Sequence, residues 1–506
     1  MPNKRIAKGG DSGAAESPLV LTIDIGSSST RVLLYDRQGN AVEGVSAQER
    51  YALRTTADGA AEDDPDAALE RTARCIDTAL SQAGPLVSQI GAVAVDTLVS
   101  NIMAIDGSGR PLTPLITYAD TRNDPDADAL RDHLDEGEVQ ERTGCLLRTS
   151  YWPARLAWFQ RVQPDVWSGA ACWITLGEYL ELRLFSQSRV SFSVASWSGL
   201  LDRRKLTWDG PLLTILGVGQ DQLSPLVDID APLSGLQEPY SGRWPALRDI
   251  PWFPAIGDGA AANVGSGCTG HDRVALTLGT SGAMRVVQAA VEKVPSGLWC
   301  YRVDRHYALL GGATSEGGNV YSWMQRSLQL GDAAQIEATV SALLPDSHGL
   351  TILPFLAGER SPDWAGNVRA TIHGLTTSTT PFEILRASME AVAYRFALIQ
   401  ERICEKPECE HRLIASGGAL LHSPAWMQIF ADVLGRTVVA SAEPEATSRG
   451  AALLALRSMG AIPSVESVPA DDGAVYEPDA AHHATYQAAI ARQRQLYDRV
   501  IGDESK

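Results

Sequence analysis

The sequence predicts an α/β protein made of two similar halves that face each other across a cleft. Three observations lead to this fold class. A Gly-rich hairpin pattern occurs twice, the chain alternates strand-like runs with longer helical stretches, and its 506 residues exceed what one hydrophobic core usually holds. The two hairpins are half a chain length apart, so we expect two related domains.

The first hairpin is the segment LTIDIGSSSTRVLLYD, residues 21–36. Residues 19–25 and 32–35 are rich in the aliphatic and β-branched side chains that strands favour, and Gly26 with the following serines supplies the turn. Asp24 is therefore expected near the hairpin tip. The uncovered N–H groups of a Gly/Ser loop can bind a phosphate, but an ordinary surface hairpin is the alternative, because Gly/Ser turns are common.

The second hairpin is VALTLGTSGAMRVV, residues 274–287, in which Gly279 aligns with Gly26. If the two hairpins face each other, each can hold part of one polyphosphate, and a hinge between the halves can close the site against water. Chance similarity of two short hairpins is the alternative.

Two helices are predicted from local patterns. Thr380 to Glu383 form a capping box with Pro at the first helical position. The apolar stripe that follows is Phe382, Leu385, Met389, Val392, Phe396 and Ile399. A second stripe, Tyr486, Ile490, Tyr497 and Ile501, predicts an amphipathic helix at the end of the chain.

The repeat, rather than a change in composition, sets the predicted domain boundary near residue 262. We expect a disordered tail over residues 1–17, an N-terminal domain over 18–262, and a C-terminal domain over 263–506 that ends in the amphipathic helix. This division assigns one Gly-rich hairpin to each domain.

Composition narrows the classes of function. A formal net charge of -18 argues against binding to nucleic acid, and no apolar run approaches the roughly 18 residues of a membrane span. The basic start of the chain lacks the apolar core of a secretion signal, and the 7 cysteines are scattered, as in a reduced protein. We therefore expect a cytoplasmic protein with a small-molecule partner and no nucleic-acid or membrane partner. The sequence does not fix the oligomeric state, and a homodimer stays open.

Two further Gly-rich segments carry candidate chemistry. In AIGDGAAANVGSG, residues 255–267, Asp258 lies between two glycines that permit close approach of the backbone to a ligand. A plain N-cap role for Asp258 is the alternative. In ASGGALLHSPAW, residues 415–426, a Gly-Gly junction joins a strand to a helix that begins at Ser423 and Pro424, so a flat ligand can lie against bare backbone.

In this order along the chain, these segments resemble the motifs of the FGGY family of carbohydrate kinases, within the actin-like ATPase superfamily. DIGSSSTR is similar to the first phosphate motif of the family, LTLGTSGAMR to the second, SGGALLHSPAWMQIFADVLG to the adenosine motif, and IGDGAAANVGSG to the segment with the catalytic aspartate. The resemblance covers about residues 18–460. It implies two RNase H-like domains, ATP and Mg²⁺ in the cleft, and transfer of the γ-phosphoryl group to a sugar hydroxyl.

The resemblance also implies roles for individual residues. Asp24 is expected by the metal ion and Asp258 at the reacting hydroxyl, because phosphoryl transfer needs a carboxylate that accepts the proton of the nucleophile. The expected ATP-binding residues are Gly26, Ser27, Ser28, Gly279, Thr280, Ser281, Gly318, Gly417, Gly418 and His422. His422 has a simpler interpretation, since an exposed histidine at a helix start needs no ligand.

Within the family, three segments look most like the gluconate kinase branch: ITYADTRN, LWCYRVDRHYALLGGATSEGGNVYSW and ILPFLAGERSPDW. Gluconate is therefore the leading substrate, and Arg122 or Arg155 could meet its carboxylate, although either could form a plain ion pair. The expected substrate contacts are Ser100, Asn101, Asp120, Arg122, Tyr151, Asp258 and Gly259. Asp120 has a structural alternative, since an Asp-Thr-Arg run can simply order a turn.

Two departures from that branch fall in the sugar pocket. Many relatives carry a Met-His pair where this chain has Val99, Ser100 and Asn101, and the usual Trp before Ala-Asp is Tyr118. Such changes alter the hydrogen-bond donors and the volume of the pocket, which can change selectivity by orders of magnitude. Xylulose, another ketose, a polyol or a different sugar acid therefore stay open.

Two other kinds of protein are alternatives to a kinase. A sensor that keeps the fold without turnover is disfavoured by the presence of both Asp24 and Asp258, which it has no chemical need to keep. An actin-like chaperone ATPase leaves the sugar-pocket segments and the GERSP run unexplained.

Overall fold

The computed structural model describes residues 15–289, 291–404 and 410–501. The predicted disordered tail, residues 1–17, lies almost entirely outside this part of the chain. None of the helices in the described part has the length and apolar composition that a membrane-spanning helix needs.

The first half of the chain contains fourteen strands and ten α-helices within the described residues. The strands are β1 (Leu19–Ile25), β2 (Ser29–Tyr35), β3 (Ala41–Arg50), β4 (Arg54–Thr55), β5 (Ala61–Asp63), β6 (Ile90–Thr97), β7 (Met103–Ile105), β8 (Leu115–Ile116), β9 (Cys172–Ile174), β10 (Val190–Ser191), β11 (Leu201–Asp202), β12 (Thr207–Trp208), β13 (Leu226–Val227) and β14 (Ile256–Gly257). The helices are α1 (Pro65–Ala83), α2 (Asp124–His133), α3 (Glu136–Thr143), α4 (Trp152–Val162), α5 (Pro164–Gly169), α6 (Leu176–Phe185), α7 (Phe192–Ser196), α8 (Gly210–Leu216), α9 (Tyr240–Arg243) and α10 (Asp258–Gly265).

The second half continues with nine strands and seven α-helices in its described part. The strands are β15 (Arg273–Leu278), β16 (Gly282–Gln288), β17 (Trp299–Arg302), β18 (Ala308–Thr314), β19 (Thr351–Leu353), β20 (Thr371–His373), β21 (Arg412–Ser416), β22 (Val438–Ser441) and β23 (Asp472–Tyr476). The helices are α11 (Gly318–Ser327), α12 (Ala333–Ala342), α13 (Pro381–Ile403), α14 (Gly418–Leu421), α15 (Pro424–Leu434), α16 (Ala446–Ser458) and α17 (Ala480–Val500).

Two mixed sheets with the same plan form the centres of the two halves. The first has the strand order β14-β6-β1-β2-β3, with antiparallel pairing from β1 to β3 and parallel pairing of β14, β6 and β1. The second contains β18-β16-β15-β21-β22 in the equivalent arrangement and adds an edge strand on each side. The predicted pair of α/β halves is therefore confirmed, with both Gly-rich hairpins at corresponding positions.

The helix predictions are confirmed, with shifts at the ends. Thr380 forms the predicted capping box with Glu383, and α13 buries the apolar stripe apart from the half-buried Phe382. The terminal helix begins at Ala480, six residues earlier than the first residue of its stripe, because Asp479 accepts hydrogen bonds from two N–H groups of the first turn.

Helix α16 of the second half packs on the first sheet and on α10. A Cβ atom at Gly265 would lie 1.7 Å from the carbonyl oxygen of Ala446, and one at Gly450 would lie 1.9 Å from that of Ala261. Only glycine permits this crossing, which fixes α10 and hence Asp258 at its first position. Residue 262 lies inside α10, and the boundary placed there stays a prediction.

Candidate active site

Three carboxylates meet where the parallel strands of the first sheet end. Asp24 on β1 lies directly opposite Asp96 on β6, and Asp96 lies opposite Ile256 on β14. Asp258 follows β14 as the first residue of α10. Because the carboxyl ends of parallel strands share one edge of a sheet, these side chains converge at the cleft between the halves.

Asp258 does not act as an N-cap. Gly257 occupies the cap position without a side-chain hydrogen bond, and Asp258 Oδ1 accepts a hydrogen bond from its neighbour, the N–H of Gly259, at 2.7 Å. Burial raises the pKa of Asp258 to about 6; the Gly259 N–H lowers it, the charge of Asp24 raises it, and Arg285 lowers it. A carboxyl group with this pKa is ionised at neutral pH and can still accept a proton.

Asp24 and Asp96 lie next to each other in the core of the sheet. Burial raises the pKa of Asp24, an effect opposed by the charge of Arg31 across the hairpin. Burial, followed by the charges of Asp24 and Asp258, raises the pKa of Asp96 well above its ordinary value. Arg31 is itself engaged at 2.6 Å by Glu445 of the second half. Ionisation of all the carboxyl groups at this edge of the sheet is therefore unfavourable unless a cation compensates their charge.

The second half contributes Arg285 to the same region. Its half-buried side chain donates from Nη2 to Thr277 Oγ1 at 2.9 Å, and a Cβ atom at Gly259 would lie 3.0 Å from its Nη1 atom. Burial lowers the pKa of Arg285, and the negative charge of Asp258 opposes that effect. The cleft thus places a cation of one half against the predicted base of the other.

The two hairpin turns differ in how their backbone is used. In the first, the N–H of Gly26 donates to Ser29 O at 3.0 Å, while Ser27 is half-buried and Ser28 is exposed. In the second, Gly279 O accepts from the N–H of Gly318 at 2.7 Å. That bond joins the turn to the start of α11.

A cavity of about 620 Å³ lies beside the second turn. It is lined by five of the residues predicted to bind ATP, namely Gly279, Thr280, Gly318, Gly418 and His422. His422 is exposed, and its Nδ1 lies 2.8 Å from Gly418 O. Because a carbonyl oxygen only accepts, Nδ1 carries the proton of the neutral ring and Nε2 keeps its lone pair.

Gly417 and Ser281, also predicted to bind ATP, do not line this cavity but shape its wall. Gly417 has a φ of +88°, and a Cβ atom there would lie 2.5 Å from Leu278 O. Ser281 O accepts from the N–H of Gly279 at 2.9 Å, which closes the turn.

Most residues predicted to contact the sugar are held by the protein itself. Ser100 Oγ donates to Trp197 O at 2.8 Å. Asn101 Nδ2 donates to Leu98 O at 2.6 Å, and its Oδ1 accepts from the N–H of Leu176 at 2.8 Å. Both side chains therefore have a structural role, because each forms hydrogen bonds with backbone groups of the protein.

The two arginines considered for a substrate carboxylate are also engaged. Arg122 pairs with Asp120 at 2.7 Å and with Glu62 at 2.6 Å. Arg155 is fully buried and donates to the backbone carbonyl groups of Ser100 and Thr117. Their roles toward substrate stay predictions.

Aromatic rings form one wall beside Asp258. The ring of Trp197 stacks on Tyr301 with centroids 3.5 Å apart, and a Cβ atom at Gly257 would lie 2.8 Å from Trp197 Nε1. The hydroxyl of Tyr151, a predicted sugar contact, lies 2.5 Å from that of Tyr301. Such a wall suits the apolar face of a polyhydroxylated ligand.

Sequence reasoning missed Asp96, Arg285 and Trp197. Asp96 directly follows an apolar run at residues 90–95, so a carboxylate at the end of a strand-like run was a usable signal. Arg285 is the last residue of the second phosphate motif, within an apolar strand, where a charged side chain is unusual. Trp197 offers no comparable signal, because its position depends on the path of the chain between β9 and β14.

A second group of side chains of the kinds that bind metal ions lies in the second half of the chain, at Asp346, His348 and Glu390. His348 Nδ1 accepts from the N–H of Leu350 at 3.0 Å, so Nε2 is the protonated nitrogen and donates to Glu390 at 3.0 Å. Neither ring nitrogen has a lone pair left for a metal ion. This group is a satisfied hydrogen-bond network.

Comparisons with known proteins agree with this architecture. The model of the FGGY family of carbohydrate kinases, N-terminal domain, matches residues 19–265, and that of the C-terminal domain matches residues 274–459. A gluconokinase of Bacillus subtilis is 28% identical over 473 residues, which cover 90% of this chain and 91% of that protein. A glycerol kinase of Aromatoleum aromaticum is 29% identical over 502 residues, or 96% and 99% of the two chains.

The fold is also similar to that of a solved ligand-bound xylulose kinase from Lactobacillus acidophilus. The TM-score is 0.88 at 25% sequence identity, over 95% of this chain and 98% of that chain. The names of these three proteins give three different substrates, gluconate, glycerol and xylulose. Similarity alone therefore does not identify the acceptor of this chain.

Proposed function

The chain belongs to the FGGY family of carbohydrate kinases, and from this premise we propose that it transfers the γ-phosphoryl group of ATP to a hydroxyl group of gluconate. The observation that carries the proposal is the position of Asp258, between the end of the first sheet and Arg285 of the second half, with a pKa of about 6. A base with this pKa suits a reaction at neutral pH.

Asp258 has the role of general base. Its carboxylate accepts the proton of the attacking hydroxyl group as the hydroxyl oxygen bonds to the γ-phosphorus and the bond to the leaving oxygen of ADP breaks. The hydrogen bond from Gly259 orients the carboxylate. The wall formed by Trp197 and Tyr301 excludes water from this side of the cleft.

The nucleotide is proposed to occupy the 620 Å³ cavity of the second half. Gly318 and Gly418 allow its close approach, since a side chain at Gly318 would meet Gly279 O at 2.7 Å. The two hairpin turns, at Gly26 to Ser28 and at Gly279 to Ser281, would hold opposite sides of the triphosphate.

The carboxylates at the sheet edge fit a hard divalent cation such as Mg²⁺, which prefers oxygen ligands. The fit rests on an observation within the described residues: both oxygens of the fully buried Asp96 are without a hydrogen-bond partner. Asp24 would hold the ion, and the bound ion would neutralise charge on the phosphates.

Gluconate is proposed as the acceptor because of the gluconokinase relative and the three segments noted in the sequence. Its carboxylate needs a cation, and Arg360 of the GERSP run is available. The guanidinium of Arg360 lies 5.8 Å from the ring of Trp364 and, within the described residues, forms no ion pair. Burial raises the pKa of Tyr151, and the positive charge of Arg360 lowers it. Because such a charge acts over a short range, this effect supports a position of Arg360 near Tyr151, a predicted sugar contact.

A neutral acceptor, xylulose or glycerol, is the second candidate. It is favoured by the engagement of Arg122 and Arg155 within the protein, because neither is free to meet a carboxylate without breaking existing contacts.

The test is ADP release with ATP and Mg²⁺ across gluconate, other sugar acids, xylulose and glycerol. Asp258→Asn is the matched blank, because it keeps the shape of the side chain and removes the base. We expect a loss on the order of 10²–10⁴-fold in that variant, with ADP affinity unchanged by calorimetry. Near-normal turnover would exclude Asp258 as the base, and a preference for xylulose or glycerol would replace gluconate as acceptor.

A further inference from the structure

Asp96 is a carboxylate that the expected catalytic set does not include. It lies at the end of β6, in register with Asp24 on β1 and with the residue two positions before Asp258 on β14. Two strands of the sheet therefore hold it between the predicted metal residue and the predicted base.

The side chain of Asp96 is completely buried, and when both Asp24 and Asp96 are ionised no N–H or O–H group of the described residues donates to either of its oxygens. A proton shared with Asp24 is the hydrogen bond that remains within its reach. Buried carboxylates are normally paired with a cation or with hydrogen-bond donors, because loss of water around a charge is unfavourable. When Asp96 is ionised, its carboxylate therefore needs a cationic or hydrogen-bond-donating partner that the described residues do not supply.

The charges around Asp96 show which kind of partner fits. The carboxylates of Asp24 and Asp258 add negative charge, and the positive charge of Arg31 opposes them more weakly. Arg31 is already paired with Glu445. A small cation with oxygen ligands matches this set better than an anion or a neutral ligand.

We propose that Asp96 is a ligand of the divalent cation, directly or through a water molecule, and that it completes with Asp24 a two-carboxylate cation site. The inference rests on the proposed function, which places the ion at Asp24. It extends that function by adding a residue on a different strand, so the ion would be held by the rigid pairing of β1 with β6.

An alternative needs no metal. The carboxyl groups of Asp24 and Asp96 are close enough to share one proton, which would make Asp96 a structural partner of Asp24. A direct measurement of cation binding separates the two cases, because only a ligand role makes cation affinity depend on the Asp96 carboxylate.

The experiment measures Mn²⁺ binding to the purified full chain in the presence of ADP, with free Mn²⁺ followed by electron paramagnetic resonance. The variants are Asp96→Asn, Asp24→Asn and the control Asp432→Asn, a buried carboxylate of the second half that pairs with His482. Asp96→Ser is a second, smaller neutral variant in case the asparagine does not fold. Circular dichroism checks that each variant is folded.

We expect the Mn²⁺ dissociation constant to rise at least fivefold in Asp96→Asn or Asp96→Ser and in Asp24→Asn, and to stay within twofold in Asp432→Asn. A smaller rise at Asp96, with a clear loss at Asp24, would overturn the inference and leave the proposed function standing. No loss at either position would overturn the inference and the proposed cation site together. An equal loss in the control would also overturn it, since the effect would then not be specific to the site.

Discussion

The hydroxyl groups of Tyr151 and Tyr301 lie 2.5 Å apart and join the two halves of the protein beside the cleft. Tyr151 precedes α4 in the first half, and Tyr301 lies on β17 of the second. Trp197 and Trp299 both stack on the ring of Tyr301, with centroids 3.5 Å and 4.5 Å away. The contact thus couples the position of the second sheet to the wall beside Asp258.

Tyr301→Phe should keep this stacking and remove the hydroxyl, so that the buried hydroxyl of Tyr151 loses its partner. We expect the free energy of unfolding to fall by about 1–3 kcal/mol, measured by chemical denaturation. Tyr307→Phe is the control, because Tyr307 is half-buried and its hydroxyl has no hydrogen bond within the described residues. Equal stability of Tyr301→Phe and the wild type would show that the contact between the hydroxyls contributes nothing.

The pKa of Asp258 gives a pH dependence with a definite sign. A base acts in its ionised form, so kcat/KM for the acceptor should fall about tenfold per pH unit below about pH 6 and level off above it. The charge of Arg285 lowers this pKa. Arg285→Met should therefore move the acidic limb of the profile to higher pH.

The measurement is kcat/KM from pH 5 to 8.5 for the wild type and Arg285→Met at saturating ATP. An acidic limb at the same pH in both proteins would mean that Arg285 does not act on the base. A flat wild-type profile would assign the proton transfer to another group.

The sequence was sufficient for those parts of the fold that depend on local patterns. The hairpin β1–β2 and the helix α13 follow from side-chain periodicity and from turn and cap residues, all within a few positions of each other. The resemblance to FGGY kinases was also visible in the sequence, because its motifs are short contiguous segments. The matches to the two family models confirm it.

The relations between strands and between halves could not be predicted in the same way. The pairing of Asp24 with Asp96 depends on the register of two strands separated by more than sixty residues. The approach of Arg285 to Asp258 depends on how the halves close. Neither distance is encoded in a local pattern. For the same reason the sequence left open whether Arg122 meets a substrate or forms an ion pair, and in the structure it pairs with Asp120 and Glu62.

Gly417 tests the wall of the proposed nucleotide cavity. Its φ of +88° is rarely adopted by other residues, and a Cβ atom would lie 2.5 Å from Leu278 O, so Gly417→Ala should push the β21 turn away from Gly279. We expect at least a tenfold rise in the ADP dissociation constant by calorimetry, together with a lower melting temperature.

The control for this change is Gly107→Ala, because Gly107 has an ordinary φ and open space around a Cβ atom. Its ADP affinity and melting temperature should match the wild type. Unchanged ADP affinity in Gly417→Ala would place the nucleotide away from this wall.

Arg360 provides the sharpest test of the acceptor, because its effect should depend on the charge of the substrate. If its guanidinium meets the carboxylate of gluconate, Arg360→Gln loses a charged hydrogen bond of about 1.5–3 kcal/mol, which corresponds to roughly a 10- to 150-fold lower kcat/KM for gluconate. The value for xylulose or glycerol should stay within about threefold. Arg369→Gln is the control, since Arg369 is exposed in the following loop and donates to Val368 O at 2.9 Å. Equal losses for charged and neutral acceptors would make Arg360 a residue of the closed cleft rather than a carboxylate-binding residue, and an unchanged gluconate value would leave the carboxylate to another cation.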